Sequence, residues 1–330
     1  MIQWICKFYR NEAAMNYYFA PMEGLTDSIY RRLHHKYFGG VDRYYMPFLS
    51  PTVHRALTAR EARELPRADS VAFTAVPQLL TKVPEDFLWA AGVCRELGYE
   101  EVNLNIGCPS GTVTAKGKGA GMLRDPGNLD AFLEEIYAKA PLPISIKTRI
   151  GFSDPEEFPR LLEIFNQYPV KELTIHPRVR TAFYSGSVHK DVFRYAVENA
   201  HMPLCYNGNL CSVADIAAIG KEFPGLQAVM LGRALVGDPG MLVPGGTTVD
   251  ALEGFMDELF SAYRQAFGSD RNAMFRLKEN WRLLLCRFEG SEKLGKRLRK
   301  TTDSDEYRQT VKEILHTLSL LPALEPDWDM

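Results

Sequence analysis

One cysteine stands where its thiol could take part in a reaction. Cys108 lies in the segment NIGCPSGTVTAKGKGAGML at 105–123, a long glycine-rich loop, and Pro109 restricts the backbone beside it. A free thiol is mostly protonated at neutral pH, so it can act as a general acid as well as a nucleophile. We therefore interpret Cys108 as a catalytic candidate, and we expect the other cysteines to be small buried residues. These are Cys6, Cys94, Cys205, Cys211 and Cys286.

Other polar side chains stand in or just after strand-like runs. Gln78 follows the third run, Asn105 lies near the end of the fourth, and His176 ends the sixth. Lys147 lies inside the run ISIKT, where a lysine is costly unless it faces a ligand or a carboxylate. We expect these side chains to converge at one mouth of a parallel barrel, with Lys147 as a functional residue. A purely structural role for His176 stays open.

Two glycine-bearing turns follow the last two strand-like runs. Asn207-Gly208-Asn209 comes after the seventh run and Gly232-Arg233 after the eighth. In barrels of this type the loops after strands seven and eight commonly bind a phosphate, and glycine lets the backbone approach it closely. Arg233 could add a bidentate contact to phosphate oxygens. The two turns together indicate a cofactor or substrate that carries a phosphate, although each alone could be an ordinary turn.

The scaffold for these residues follows from an alternation of strand-like and helical segments between residues 17 and 233. The strand-like runs lie at 17–20, 41–46, 71–76, 101–106, 144–148, 172–176, 204–207 and 227–231. The segments between them have helical length and periodicity and include 26–37, 52–63 and 84–97. Such alternation predicts parallel strands, and eight units without an early GxGxxG motif predict a (β/α)8 TIM barrel rather than an open sheet.

Beyond residue 250 the alternation stops, and four amphipathic helices are predicted at 252–267, 271–287, 291–300 and 304–321. We therefore expect a catalytic barrel at 15–245 and a helical domain at 246–330. Residues 1–14 are expected to be a non-native or flexible extension before a start at Met15. The stretch 271–300 holds ten basic and three acidic residues, a charge of +7 in a chain of net charge −2. This asymmetry favours a polyanionic partner, while a solvated basic face is an equal alternative.

Composition narrows the class of protein. With 46% hydrophobic and 24% charged residues in 330, the chain is neither disordered nor fibrous. The scattered cysteines lack CxxC spacing, so we expect reduced thiols, a cytoplasmic location and no metal site. No apolar run approaches the length of a membrane span, and we expect no membrane association.

Six motifs, in order, resemble those of the bacterial tRNA-dihydrouridine synthases from Met15 onward. They are FAPMEGLTD at 19–27, NLNIGCPSGTVTAKGKGAGML at 103–123, SIKTRIG at 145–151, LTIHPRVRTAFYSG at 173–186, YNGNL at 206–210 and MLGRAL at 230–235. The resemblance implies an FMN-bearing barrel, NADPH as reductant and a helical domain that binds tRNA. The implied FMN-binding residues are Pro21, Met22 and Glu23 along the ring, Gln78 at its edge, Lys147 at its pyrimidine side, His176, and Asn207, Gly208, Asn209, Gly232 and Arg233 around the phosphate.

The resemblance also implies a reaction, the reduction of the C5=C6 bond of uracil in tRNA. Hydride would pass from flavin N5 to C6, and Cys108 would give a proton to C5. Asn105 and Arg178 would contact the uracil or its ribose phosphate. The base must first leave its stack, because neither carbon is reachable within folded tRNA. Pro177 stands where the family carries glycine, which bears on substrate contacts at that point.

Three alternatives stay open on the sequence. A flavoprotein like dihydroorotate dehydrogenase shares the FMN barrel and a cysteine loop but acts on a free pyrimidine, and the basic helical segment argues against it. In an aldolase or isomerase barrel, Lys147 would form a Schiff base. In a third alternative the barrel is inactive and only binds tRNA. The presence of Cys108 and Lys147 argues against this alternative. We expect a monomer, and the sequence does not indicate which uridine is modified.

Overall fold

The computed structural model describes residues 15–323, in which parallel strands form one sheet. The strands are β1 (Asn16–Phe19), β2 (Arg43–Tyr45), β3 (Ala75–Val76), β4 (Gln78–Leu79), β5 (Val102–Ile106), β6 (Ile144–Arg149), β7 (Leu173–His176), β8 (Leu204–Tyr206) and β9 (Ala228–Leu231). Their order is β3-β2-β1-β9-β8-β7-β6-β5-β4. Because only Pro77 separates β3 from β4, both ends of the sheet belong to one strand position, and the sheet closes into an eight-position barrel.

Helices follow most of the strands, and beyond β9 the chain continues as a series of helices. They are α1 (Ser28–Tyr37), α2 (Ala59–Glu64), α3 (Pro84–Glu96), α4 (Gly111–Thr114), α5 (Pro126–Lys139), α6 (Phe158–Phe165), α7 (Lys190–Asn199), α8 (Val213–Glu222), α9 (Arg233–Gly237), α10 (Val249–Phe267), α11 (Asp270–Leu284), α12 (Glu292–Lys300) and α13 (Ser304–Thr317). Short 3-10 turns lie at Ala68–Ser70, Gly119–Arg124, Pro155–Glu157, Arg180–Ala182 and Leu285–Arg287. The predicted TIM barrel with a C-terminal helical domain is confirmed.

Capping residues set the helix boundaries at the start of the C-terminal helices. The Thr248 side chain accepts the Ala251 N–H at the beginning of α10, and Gly268, with φ of 66°, caps the helix after Phe267. Ser269 then accepts the Asn272 N–H and begins α11. A glycine stop followed directly by a serine start leaves a very short turn, so α10 and α11 are successive helices with hardly any loop between them.

The barrel strands are buried almost throughout. Strand β5 is buried at every residue, as are β7, β8 and β9. An apolar cluster closes part of the interior with Tyr18, Ala20, Tyr45, Val76, Cys205, Ala228 and Met230. Burial of this kind excludes water from the strands, so a polar side chain pointing into the barrel must find a protein partner or a ligand.

The described chain divides into two compact units. The first comprises residues 15–21, 42–209 and 218–230, and the second comprises 22–41, 210–217 and 231–323. Helix α1 belongs to the second unit because the Tyr30 and Phe38 rings each meet the Phe255 ring of α10 edge on, with centroids 5.4 and 5.2 Å apart. The predicted boundary between a catalytic barrel and a helical domain, after residue 245, stays a prediction. The extension predicted at 1–14 lies outside the described residues.

Seven of the eight predicted strands are confirmed, whereas the strand predicted at 71–76 and two predicted helix bounds are wrong. The third strand position begins only at Ala75 and continues beyond Pro77 as Gln78–Leu79. The helix predicted from 52 begins only at Ala59, because Thr58 and Glu61 form a reciprocal capping box there. The helix predicted to reach 321 ends at Thr317, after which Leu320 forms a β-bridge with Phe288. In both cases a local hydrogen bond outcompetes the continuation of an apolar pattern.

Within residues 15–323, no helix combines the length and apolarity needed to cross a membrane. In that same part of the chain, no three His, Cys, Asp or Glu side chains are grouped so that they could hold a metal ion.

Candidate active site

Strands β5 and β6 place the candidate residues in adjacent rows inside the barrel. The register pairs Asn103 with Ser145 and Asn105 with Lys147. Because side chains two residues apart on a strand share a face, Ser145, Lys147 and Arg149 form one row and Asn103 and Asn105 the next. The structure therefore brings Asn105 beside Lys147, as the sequence predicts.

The loop that carries Cys108 is held from two sides. Oδ1 of Asn105 accepts the N–H groups of Gly107 and Cys108 at 3.1 and 2.9 Å. The Cys108 carbonyl accepts the Ala120 N–H at 3.1 Å. Arg149 donates from Nε to the Gly107 carbonyl at 3.0 Å. Cys108 is half-buried, so its thiol sits on a fixed backbone with partial access.

Arg149 is a residue that the sequence analysis missed. Its guanidinium is buried and also donates from Nη1 to the Val179 carbonyl at 2.9 Å, which links the Cys108 loop to the segment after β7. The signal was present, because Arg149 lies two residues beyond Lys147 on the same face of a buried strand, and the argument that singles out Lys147 applies to it equally.

Gly119 is required for the path of this loop. Its φ is 56°, and a Cβ there would lie 2.9 Å from Cγ1 of Val113 and 3.0 Å from Cβ of Cys108. We expect Gly119→Ala to displace Cys108 and to change its rate of alkylation by iodoacetamide severalfold, besides the backbone cost of about 1–2 kcal/mol for a left-handed alanine. Peptide mass spectrometry and thermal unfolding measure the two effects.

Gly117→Ala is the matched control for Gly119→Ala. Gly117 has a φ of 70°, so the backbone cost is similar, but its added Cβ would meet only the flexible side chain of Lys82. We expect this variant to lose comparable stability while Cys108 keeps its wild-type alkylation rate. Equal effects of the two variants on Cys108 would contradict the contact assigned to Gly119.

Lys147 is fixed by an amide at the mouth of the barrel. Its Nζ donates to Oδ1 of Asn207 at 2.7 Å, and Nδ2 of Asn207 donates to the Met230 carbonyl at 2.7 Å. Removal of water from the ammonium, together with the nearby charge of Arg149, lowers the pKa of Lys147 to about 8. Lys147 therefore carries a positive charge below this pH and loses it above.

His176 and Arg178 form a buried pair. Nη1 of Arg178 lies 3.0 Å from Nε2 of His176, and because a guanidinium can only donate, Nε2 accepts and a neutral ring carries its proton on Nδ1. Arg178 also donates to the carbonyls of Ser185 and Gly186 at 3.2 and 2.5 Å. These contacts orient His176 and the following loop. A direct contact of Arg178 with substrate stays a prediction.

Gln78 and Asn207 have side chains that are already engaged. Gln78 is fully buried, donates from Nε2 to Asn103 at 2.8 Å and accepts from Asn105 at 2.7 Å. Asn207 holds Lys147. In the same turn Gly208 is tightly enclosed, since a Cβ there would lie 3.2 Å from Val188, and Asn209 has a φ of 48°. Their predicted roles toward a cofactor stay predictions.

Four predicted site residues belong to the second unit. Met22 and Glu23 lie in the loop before α1, and Gly232 and Arg233 lie at the start of α9. Pro21 is the last residue of the first unit before that loop. The roles of these five residues toward a cofactor stay predictions.

Asp27 anchors the loop of Met22 and Glu23 and was missed by the sequence analysis. Its carboxylate caps α1 through the Tyr30 N–H, accepts the Tyr263 hydroxyl at 3.0 Å and forms an ion pair with Arg276 at 2.5 Å. The loop is thereby tied to α10 and α11. No spacing in the sequence indicates this pairing, since Asp27 and Arg276 are separated by most of the chain.

Aromatic and basic side chains surround the segment after β7. The guanidinium groups of Arg124 and Arg180 both lie over the Phe152 ring, 4.0 and 5.3 Å from its centroid. Phe183, with a φ of 50°, and Tyr184 are both largely exposed. Exposed rings next to cations are the groups on which nucleic-acid bases stack and to which phosphates bind.

The basic segment of the helical unit is only partly available to a partner. Arg276 pairs with Asp27, Arg287 with Asp238 and Arg297 with Glu313, while Lys278 donates to the carbonyls of Arg299 and Thr301. The exposed cations of α12 are Lys293, Lys296, Arg299 and Lys300. We call these four residues the α12 basic face. They are the part of the +7 segment that remains at the surface of this helix.

The chain is similar to known proteins of one family. A family model described as Dihydrouridine synthase (Dus) matches residues 18–316. The chain is 28% identical over 223 residues to tRNA-dihydrouridine synthase B of Pasteurella multocida, covering 67% of this chain and 66% of that protein. For the probable tRNA-dihydrouridine synthase 1 of Synechocystis the identity is 29%, over 67% and 61%. The match thus spans just under two thirds of the length of these relatives.

A third relative matches over nearly its whole length. The chain is 25% identical over 319 residues to tRNA-dihydrouridine(16) synthase of Neisseria meningitidis serogroup A, covering 91% of this chain and 95% of that protein. Among solved structures, morphinone reductase superposes with a TM-score of 0.51 at 11% identity, covering 69% of this chain and 84% of that one, which supports the barrel fold alone. Because the family model matches most of the chain, the protein belongs to the dihydrouridine synthase family.

Proposed function

We propose that this protein uses FMN and NADPH to reduce uridine in tRNA to 5,6-dihydrouridine, acting in the cytoplasm as a monomer. The observation that carries the proposal is the Cys108 loop, fixed by Asn105 and Arg149 beside a lysine at the barrel mouth. This arrangement combines a proton donor with a positive charge in one site. Membership of the dihydrouridine synthase family supports the choice of substrate.

The donor set at the mouth fits FMN. Lys147 has three N–H donors and Asn105 has two on its side chain, of which the described hydrogen bonds use one apiece. The pyrimidine edge of a flavin presents carbonyl oxygens and a ring nitrogen that accept hydrogen bonds, so donors of this kind would hold and orient it. When bound, FMN supplies the hydride for C6 of uracil, drawn from NADPH.

Cys108 supplies the proton in this proposal. Because the N–H and carbonyl of Cys108 are both bonded within the first unit, the thiol has few positions available and can be aimed at a base entering the mouth. Fixed orientation of an acid toward the reacting carbon is what general acid catalysis requires. Cys108 would protonate C5 on the face opposite to the one that receives hydride.

The α12 basic face is proposed to bind tRNA phosphates. We expect replacement of Lys293, Lys296 and Arg299 by alanine to weaken tRNA binding about 10- to 100-fold near 0.1 M salt, and to make its salt dependence shallower by roughly two to three phosphate contacts. The KM for NADPH should not change. Filter binding across a salt series measures the effect.

Lys221→Ala provides the control for the α12 substitutions. Lys221 is an exposed lysine of α8, outside the α12 basic face, so its loss changes net charge without touching that face. If net charge alone mattered, the Lys221 variant would lose about a third as much binding free energy as the triple variant, and a loss of that size would contradict the proposed face.

We further propose position 16 of tRNA as the target. The support is the relative named for that position, whose match includes the helical segment, whereas the relatives named synthase B match over about two thirds of the chain. Docking of tRNA depends on the helical segment, so similarity there bears on the position more directly than similarity in the barrel.

The function is tested with tRNA that lacks dihydrouridine. Purified protein, NADPH and this tRNA are incubated, and nucleosides are analysed by mass spectrometry and mapped by sequence. A uridine carrying two additional hydrogens at position 16 is the expected result. The same product at another position would contradict the assignment of position 16 but not the proposed reaction. A yellow protein without product indicates a free-pyrimidine oxidoreductase, and a colourless inactive one contradicts the flavin assignment.

A further inference from the structure

A chain of side-chain hydrogen bonds descends into the barrel from the Cys108 loop. At its upper end Oδ1 of Asn105 accepts the N–H groups of Gly107 and Cys108. Nδ2 of Asn105 then donates to Oε1 of Gln78 at 2.7 Å. Both amide side chains are buried, so each hydrogen bond is made away from bulk water.

The chain continues toward the other end of the strands. Nε2 of Gln78 donates to Oδ1 of Asn103 at 2.8 Å, Nδ2 of Asn103 donates to Oγ of Ser145 at 3.0 Å, and Oγ of Ser145 donates to Oε1 of Glu101 at 2.9 Å. Strand register places these residues next to one another, since Gln78 pairs with Asn103 and Asn103 with Ser145. All of them are less than a tenth exposed.

Glu101 ends the chain as an anchored carboxylate. Its Oε2 forms ion pairs with Arg43 at 3.2 Å and with Lys171 at 2.5 Å, which leaves Oε1 to accept from Ser145. A carboxylate accepts hydrogen bonds and does not donate them. The hydroxyl of Ser145 must therefore donate to Glu101 and can only accept from Asn103.

This single constraint sets the direction of every amide above it. Because the Ser145 hydroxyl accepts a hydrogen bond, Asn103 directs its NH2 group toward Ser145 and its oxygen toward Gln78. Gln78 in turn presents its oxygen to Asn105. Asn105 is then left with its oxygen toward the loop, where two backbone N–H groups require an acceptor. The carboxylate at one end and the backbone donors at the other demand the same orientation.

We propose that Glu101 and Ser145 are positioning residues, which hold the Cys108 loop in place and fix Asn105 as a hydrogen-bond donor toward any ligand at the mouth. Both lone pairs of the Asn105 oxygen are used by the loop, so its remaining N–H can meet only an acceptor such as a carbonyl oxygen. The consequence for turnover rests on the proposed function, whereas the consequence for the loop does not.

Ser145→Ala breaks the chain, and Ser145→Thr keeps the hydroxyl. In the full-length protein, the rate of Cys108 alkylation by iodoacetamide is read by peptide mass spectrometry. We expect Ser145→Ala to raise this rate about fivefold, the scale of one lost hydrogen bond, because Asn105 can then turn and release the loop. Ser145→Thr should restore a near wild-type rate. An unchanged rate in the alanine variant, or failure of threonine to restore it, overturns the proposal.

The other thiols distinguish local release from general loosening. Cys211 and Cys286 are half-buried and Cys94 and Cys205 are buried, and all four are read in the same digest. The proposal expects their alkylation rates to stay at wild-type values in Ser145→Ala. A parallel rise at Cys94 and Cys205 would mean that the hydroxyl only stabilises the fold, which also overturns the proposal.

The charge of Glu101 is tested separately. In Glu101→Gln the new amide can donate to Ser145, so the reversed chain becomes possible, and we expect faster Cys108 alkylation as in Ser145→Ala. Lys171→Met removes one ion pair but keeps the carboxylate, and Cys108 should react at the wild-type rate. Equal behaviour of the two variants overturns the directional role of Glu101.

An activity assay keeps this inference separate from the proposed function. If wild-type protein forms dihydrouridine, Ser145→Ala should lower kcat severalfold with an unchanged KM for NADPH, and a change in that KM alone counts against a role at Cys108. If wild-type protein forms no product, the proposed function fails, and the alkylation rates still decide whether Ser145 and Glu101 position the loop.

Discussion

Cys108→Ala is expected to lower dihydrouridine formation about 10²- to 10⁴-fold, the range that a positioned general acid contributes. The thiol is half-buried on a backbone held at both its N–H and its carbonyl, and alanine at this position leaves the fixed loop without a proton donor. The KM for NADPH should stay at its wild-type value, because the proposed role of the thiol concerns uracil and not the reduction of the cofactor. Single-turnover and steady-state assays with tRNA measure the loss.

Cys286→Ala is the control for this variant. Cys286 is also half-buried and lies in the 3-10 turn Leu285–Arg287, outside both the Cys108 loop and the α12 basic face, and its substitution should leave product formation unchanged. A Cys108→Ala variant that retains product formation within a factor of about three would exclude the thiol as the proton donor, since general acid catalysis is worth far more than this. The proton would then have to come from water or from another group at the mouth.

The barrel could be predicted from the sequence because its signal is local. Each strand is a short apolar run closed by a turn, and each helix has its own periodicity, so the count of eight units follows without any long-range contact. Proline explains the one irregular position. Pro77 lacks an N–H and divides a single strand position into β3 and β4, a division that no pattern of hydrophobicity shows.

The sequence indicates candidate site residues one by one, but not the contacts between them. Lys147 and Cys108 stand out as single residues in an unfavourable or unusual setting, and Asn105 and Asn207 are candidates because they lie at the ends of strand-like runs. That Asn105 holds the Cys108 loop and Asn207 holds the Lys147 ammonium follows only from the folded structure. Gln78 illustrates the difference, since its buried amide proves to be bonded on both sides.

The net charge of residues 271–300 shows a further limit of prediction from the sequence. A sum of +7 over residues 271–300 treats every cation alike, yet Arg276, Arg287 and Arg297 are paired with carboxylates from distant parts of the sequence. Those carboxylates neutralise the charge of the three arginines, which therefore serve the fold and do not add to a basic surface. Charge counted along a chain therefore overstates what a surface offers to a polyanion, and the folded arrangement is needed to identify the α12 basic face.

Lys147→Met is expected to slow the reduction of bound FMN by NADPH about 100-fold, the scale of removing one preorganised charged donor. Reduction adds negative charge to the ligand, and the ammonium, which Asn207 holds at the mouth, favours that charge. In the wild-type protein the pKa of Lys147 is lowered to about 8, so the charge is present below this pH and is lost above it. The rate should therefore fall as pH rises through about 8.

The pH profile separates Lys147 from Cys108. Reduction of FMN is followed by stopped-flow absorbance without tRNA, so protonation of uracil plays no part. Lys147→Arg should keep its charge and shift the fall in rate to higher pH, because a guanidinium stays protonated there. Lys147→Met should remove the pH dependence together with most of the rate, and Cys108→Ala should retain the wild-type profile. If the rate of FMN reduction in Lys147→Met still fell near pH 8, the titrating group would be a different one. The charge of Lys147 would then not be the cause of the pH dependence.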